Sequence, residues 1–184
     1  MSEAIVPGSR ATLWRLALFA LVSALLFALL YYPHPPDSRA ADLLSGYVAW
    51  VARAATHVIA LFDPSVVLMD HVVIAGRFPL RIVLDCTALD VQALFVSAVL
   101  AAPASARSKL LGALGGVAFL AVANLVRIVA LYYVGVHAPA RFDLMHEDVF
   151  TFAMLACACL AFFLFATQHS RARAAIDHPS TARE

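Results

Sequence analysis

The sequence predicts an α-helical integral membrane bundle in a single domain, residues 1–184, with about four spanning helices, an amphipathic helix on the outer side and a short β-hairpin. Three observations carry this expectation. Of the 184 residues, 63% are hydrophobic, well above the roughly 45–50% of ordinary soluble domains. The apolar residues form long runs spread from residue 13 to residue 168, so they build one bundle rather than a soluble domain with an anchor. Only 14% of residues are charged, and the cations outside the runs gather where one side of a membrane would hold them. A net charge of +1 leaves no basic face for a phosphate backbone, so nucleic acid is excluded as a partner and the lipid bilayer is the medium.

The first span is 12–32. Leu16 to Tyr32 is uncharged, and with Leu13 and Trp14 the run reaches about 20 residues, enough for roughly 30 Å of hydrocarbon. It lacks a small-x-small cleavage site and ends in Tyr-Tyr-Pro, which makes it a retained helix rather than a signal peptide. Arg10 and Arg15 precede it and place the N-terminus in the cytoplasm. Pro33, Pro35 and Pro36 then bar a helix through the next loop. Over 42–63, Asp42, Ser45, Arg53, Thr56 and Asp63 share one stripe while Tyr47, Val48, Val51, Ile59 and Phe62 fall on the other side. That pattern suits a helix on the outer interface or packed on the bundle, with a further crossing as the alternative. Val66 to Leu84 is β-branched and aliphatic, broken at Ala75-Gly76-Arg77, which predicts a hairpin of Val66 to Ile74 and Phe78 to Leu84 weakened by Pro79.

The next span, 88–102, ends at Pro103, and Arg107 and Lys109 mark a cytoplasmic loop. The span 110–135 is apolar except for Asn124 and Arg127, and its Gly112 and Gly116 suit close helix packing. A polar outer loop leads to the last span, 148–168, followed by Arg171, Arg173 and Arg183 in the cytoplasm. All basic clusters then share one side, which a full crossing by 42–63 would break.

This topology brings three distant residues to one depth. Cys86 precedes the second span on its outer side, His146 precedes the fourth, and Arg127 stands about 26 Å up the third from its cytoplasmic end. Cys157 and Cys159 sit mid-membrane on different helix faces, so Cys86 is left as a free thiol. A guanidinium inside a membrane helix costs about 2.5 to 3.5 kcal/mol at the centre and calls for compensation. Arg127 either snorkels or pairs with Asp85, Asp90 or Asp143 as a structural cation, or it holds a thiolate or oxyanion. Cys86 alone is as consistent with an inert buried thiol, and His146 with a structural loop histidine. A non-catalytic membrane subunit or a small-molecule transporter using Arg127 to bind an anion is the rival from another class. A zincin is not supported, because Phe150 stands where H-E-x-x-H needs its second histidine.

Cys86-Thr87-Ala88-Leu89 at the start of an apolar helix, Asn124-x-x-Arg127-Ile128 on the next long helix and His146-Glu147 before the last resemble the ordered Cys, Arg, His signature of the exosortases and archaeosortases. The likeness covers roughly Val66 to Thr167 and rests on order, spacing and topology together. Thr87-Ala88 stand where that family usually has a small residue and then Gly, and the chain is shorter than many members. The resemblance implies a membrane cysteine peptidase or transpeptidase at the outer face of a bacterial cytoplasmic membrane. Its substrates would be membrane-anchored exported proteins bearing a C-terminal sorting signal: a PEP-CTERM-like motif, a transmembrane helix and a basic tail. It implies Cys86 as nucleophile, Arg127 as stabiliser of thiolate or oxyanion, and His146 as proton carrier, with Asn124, Thr87, Asp85 and Glu147 supporting them or contacting substrate. No metal or organic cofactor is called for.

Overall fold

The computed structural model describes residues 7–177. The chain is mostly helical: α1 (Pro7–Tyr31), α2 (Arg39–Ala60), α3 (Leu89–Ala101), α4 (Ala106–His137) and α5 (Phe150–Asp177), with three short strands between α2 and α3. Of the basic residues expected after the last span, Arg183 and the side chains of Arg171 and Arg173 lie outside the described residues. Four helices are long and apolar enough to cross a membrane: Arg10–Tyr31, Arg39–Ala60, Ala106–His137 and Leu144–Gln168. The helix Leu89–Ala101 is apolar but shorter, and its 13 residues rise only about 20 Å. Length and composition thus include α2 and leave out α3, whereas the apolar pattern marked 88–102 as a span and 42–63 as an outer-side helix.

Two apolar cores share α4 as a wall. The first joins the buried face of α2 (Val48, Val51, Ala52, Ala55, Ile59) to Ile74 and Leu80 of the sheet and to Ile128 and Tyr132 of α4. The second joins Phe95 and Val99 of α3, Leu120 of α4, and Met154 and Ala158 of α5. Close approach here depends on missing side chains, because a Cβ on Gly116 would fall inside the Phe95 ring and one on Gly112 inside the Phe165 ring. These two glycines therefore do what small-xxx-small spacing does between membrane helices, letting neighbouring side chains pack against bare backbone. α1 lies mainly against α3, with most of its apolar surface turned outward.

The spacing of α2 follows its burial. Ser38 caps the helix by accepting from Ala41 N at 3.2 Å, and Asp42 sits in the first turn, where the helix dipole favours an anion. The buried positions 48, 51, 52, 55 and 59 form the stripe that meets α4. Past its end, Asp63 Oδ1 accepts from Ser65 N at 3.2 Å and Ser65 Oγ at 2.6 Å, and Asp63 Oδ2 accepts from Tyr132 Oη at 2.9 Å. The same Tyr132 hydroxyl accepts from Arg77 N at 3.1 Å, so one phenol on α4 ties down both the end of α2 and the tip of the sheet.

The expected hairpin is a three-strand antiparallel meander: β1 (Val67–Met69), β2 (Val73–Ala75) and β3 (Leu80–Arg81). The run Val66 to Ile74, read from the sequence as one strand, folds back in its middle, where Asp70 and His71 have φ of 48° and 62°. Two successive positive φ values make the mirror-image turn that matches strand twist. Without glycine at that point the turn leaves little trace, although Asp and His are among the residues that tolerate the left-handed region. Val67 pairs with Ala75 and Met69 with Val73, while Ile74 pairs with Leu80. Pro79, which lacks an N–H, precedes β3 and helps keep it to two residues.

Hydrogen bonds from Ser65 and Tyr132 hold the Asp63 carboxyl below the ordinary aspartate value, against the opposing effect of burial. A carboxyl lowered on folding stabilises fully above its unfolded pKa, and that stability is lost as the pH falls through the lower folded value. Tyr132→Phe should therefore lower the melting temperature in detergent near neutral pH and shrink the further loss on acidification from about pH 6 to pH 3. Thermal unfolding of parent and variant across that range checks both effects.

Candidate functional site

Cys86 lies in a 3-10 turn, Leu84–Thr87, between the sheet and α3. The turn is held by Cys86 N donating to the Val83 carbonyl at 2.9 Å and by Thr87 Oγ1 donating to the Leu84 carbonyl at 2.6 Å. Thr87 is wholly buried, so its hydroxyl shapes this turn rather than facing outward. Ala88 then adopts φ 54° and ψ 26°, the left-handed region, while buried, and its carbonyl accepts from Gln92 N at 3.0 Å to start α3. A side-chain-bearing L-residue in that conformation costs about 1–2 kcal/mol. Position 88 is where the resemblance leads one to expect glycine, and the backbone supplies the physical reason: the chain must reverse hand between the 3-10 turn and α3.

One turn of α4 reaches both neighbouring segments. Asn124 Nδ2 donates to the Cys86 carbonyl at 2.9 Å, and three residues on, Arg127 Nη2 donates to the His146 carbonyl at 3.4 Å. Both side chains are buried, at 2% and 8% exposure, inside a helix that is otherwise apolar at this level. Each keeps unspent capacity. Asn124 Oδ1, Arg127 Nε and His146 Nδ1 are all buried without a hydrogen-bond partner. Leaving such groups unmatched costs about 1–3 kcal/mol apiece, more for a charge, and all three belong to residues that the two α4 contacts tie to the Cys86 and His146 segments.

His146 sits in a π-helical turn, Leu144–Val149, that leads into α5. A π turn inserts an extra residue into the helical repeat and turns side chains away from the register a continuous α-helix would give. The Phe142 ring stacks on the imidazole at 5.7 Å with a 23° tilt, and Thr151 Oγ1 joins Arg127 as a donor to the His146 carbonyl at 3.4 Å. Arg127, Glu147, Asp143 and Asp85 lie within electrostatic reach of the ring. Asp85 and Glu147 are exposed, and Asp85 and Asp90 also lie close to Tyr31 at the end of α1. Among the described residues no cluster of three His, Cys, Asp or Glu side chains could hold a metal.

Of the residues singled out from the sequence, Asn124 contacts the Cys86 segment, and Arg127 contacts the His146 turn. Asp85 and Glu147 form the exposed rim, and Thr87 belongs to the turn itself. Ala88 was noted only as a departure from the family pattern, and three residues were not singled out: Gln92, Phe142 and Tyr31. Gln92 had a signal, being a lone amide in an apolar run, and its Nε2 is buried without a partner. Phe142 and Tyr31 gave none, since an aromatic residue at a helix end is unremarkable until its neighbour is seen.

Replacing Ala88 by Gly should raise stability by up to about 1 kcal/mol, the left-handed penalty less the entropy of a freer unfolded chain. Ala88→Val should lower it by at least as much. Unfolding midpoints of the two variants in detergent measure the difference, and a destabilised Gly variant would contradict the strain at this position.

A family model described as transmembrane exosortase matches residues 5–164 of the chain. No curated protein and no solved structure matches it.

Proposed function

Because the chain belongs to the transmembrane exosortase family, a membership that suggests a membrane transpeptidase or protease, we propose that it is a cysteine enzyme using Cys86, Arg127 and His146. The proposal extends to the substrate: exported, membrane-anchored proteins ending in a short PEP-CTERM-like motif, a transmembrane helix and a basic tail, cut at the outer face of the bacterial cytoplasmic membrane.

The observation that carries this reading is the α4 turn whose Asn124 and Arg127 bind the carbonyls of Cys86 and His146. Both contacts are made to backbone, so neither spends the thiol or the imidazole. In the proposed cycle the Cys86 thiol gives its proton to His146 as Sγ attacks the scissile carbonyl. Negative charge moves to the carbonyl oxygen, where the guanidinium, with its unpartnered Nε, provides stabilisation in surroundings poor in water. His146 returns the proton to the leaving amine as the peptide bond breaks, leaving a thioester on Cys86. Water or another nucleophile then attacks the thioester, His146 takes its proton, and the Cys86 thiol is restored.

Topology supports the same reading. Arg107 and Lys109 stand at the start of α4, and Arg10 and Arg15 near the start of α1, which favours the cytoplasm for those ends. The site is on the opposite flank, near Tyr31 at the far end of α1, with Asn124 17 residues and Arg127 20 residues along α4 from Arg107. α2 starts a few residues after α1 ends and finishes against Tyr132 near the far end of α4.

Cys86→Ala should abolish processing of a co-expressed fusion carrying a motif, an apolar helix and a basic tail. Arg127→Gln should reduce it by about a thousandfold or more, the scale on which oxyanion and triad groups act. Immunoblotting for the shortened product reads both. Undiminished processing by Cys86→Ala would sink the cysteine mechanism.

A further inference from the structure

Among the described residues, the side-chain hydrogen bonds at His146 go to its carbonyl, from Arg127 Nη2 and Thr151 Oγ1, and its ring Nδ1 is buried without a partner. A general base beside a nucleophile is ordinarily held by a third group that binds its other ring nitrogen. Here the hold is on the face of the ring. Phe142, about one helical turn earlier, lies against the imidazole with ring centroids 5.7 Å apart and 23° between the planes, within the offset-stacked range of aromatic pairs. Phe142 also meets Phe78, at 5.1 Å and 42°, from the loop between β2 and β3. That loop is fixed to α4 at two places three residues apart. Arg77 N donates to Tyr132 Oη at 3.1 Å, and the Phe78 ring rests on the bare backbone of Gly135, where a Cβ would fall inside it. Tyr132 and Gly135 share one face of the helix.

α4 thus reaches His146 by two routes. Arg127 binds its backbone, and Gly135, about two turns further along, reaches its ring through Phe78 and Phe142. We infer that Phe142, backed by Phe78 on Gly135, sets the plane of the His146 imidazole and is a positioning residue for its proton transfers, in the place that a hydrogen-bonding side chain takes in other nucleophile–base pairs. The role in proton transfer rests on the peptidase reading. A hydrogen bond to Nδ1 would fix one tautomer. Stacking pins the plane and leaves both ring nitrogens free to take or give the proton. A misplacement of about 1 Å can cost on the order of a hundredfold in rate, so the shape of the Phe142 ring matters beyond the volume it fills.

Rate and ring geometry are read separately in the full-length chain. Phe142→Leu keeps an apolar side chain but removes the ring. It should slow processing of the co-expressed fusion by about tenfold or more, and Phe142→Tyr, which keeps the ring, should restore most of that rate. Equal rates for the two variants overturn the inference. Gly135→Ala, which displaces Phe78, should slow processing in the parent and add little in Phe142→Leu. Losses that multiply instead would break the link through Phe78. In spectra of the histidine-labelled chain in detergent, the His146 signal is the one lost in His146→Asn. Its ring-proton shifts should change in Phe142→Leu and hold in Phe142→Tyr; shifts unmoved by Phe142→Leu mean that the rings are not stacked, and the inference fails whatever the rates. If the parent cuts nothing, the peptidase reading falls and the positioning role falls with it. A parent that cuts while Phe142→Leu keeps pace sinks the positioning role alone.

Discussion

Asn124 and Arg127 occupy one turn of α4, and the amide of the first and the guanidinium of the second each bind a carbonyl belonging to another segment. These segments, the 3-10 turn before α3 and the π turn before α5, are far apart in sequence and have little regular structure of their own. Neither would hold its position by backbone pairing alone. An apolar helix that buries an amide and a guanidinium accepts a large desolvation cost, which two donated hydrogen bonds only partly offset. Asn124 Oδ1 and Arg127 Nε remain buried without a hydrogen-bond partner.

The turn lies where the two cores meet. Cys86 belongs to the core built by α2, the sheet and the far half of α4, whereas Ala88, two residues later, belongs to the core of α3, α5 and the near half of α4. On α4 the same border falls between Ala123 and Leu125. A border between packed units is a place where backbone irregularity can be tolerated without breaking either core. The left-handed Ala88 and the π turn both sit along it, and strain of this sort persists only where the surroundings over-determine it.

The membrane class and the helix positions were legible because long uncharged runs have few other physical uses. Arg127 and Asn124 were legible for the same reason, since polar groups in an apolar helix stand out. The fold of Val66 to Leu84 was legible only in part: its β-branched pattern signals strand, but a tight turn made by Asp70 and His71 carries no glycine to betray it. The character of α2 and α3 was harder, because length and apolarity speak to crossing while contacts at the helix ends speak to where those ends lie. Phe142 and the π turn around His146 were illegible, since their effect comes from register within a helix and not from composition.

The tether itself is open to direct measurement through the alkylation rate of Cys86, a thiol only 7% exposed, with Cys157 and Cys159 replaced by alanine. If the Asn124 amide holds the turn closed, Asn124→Ala should speed maleimide labelling at fixed pH by roughly five- to tenfold, the effect of losing one buried hydrogen bond of about 1 to 1.5 kcal/mol. Labelling at the parent rate, in a variant that remains folded, would mean that Cys86 is held by something other than this turn of α4.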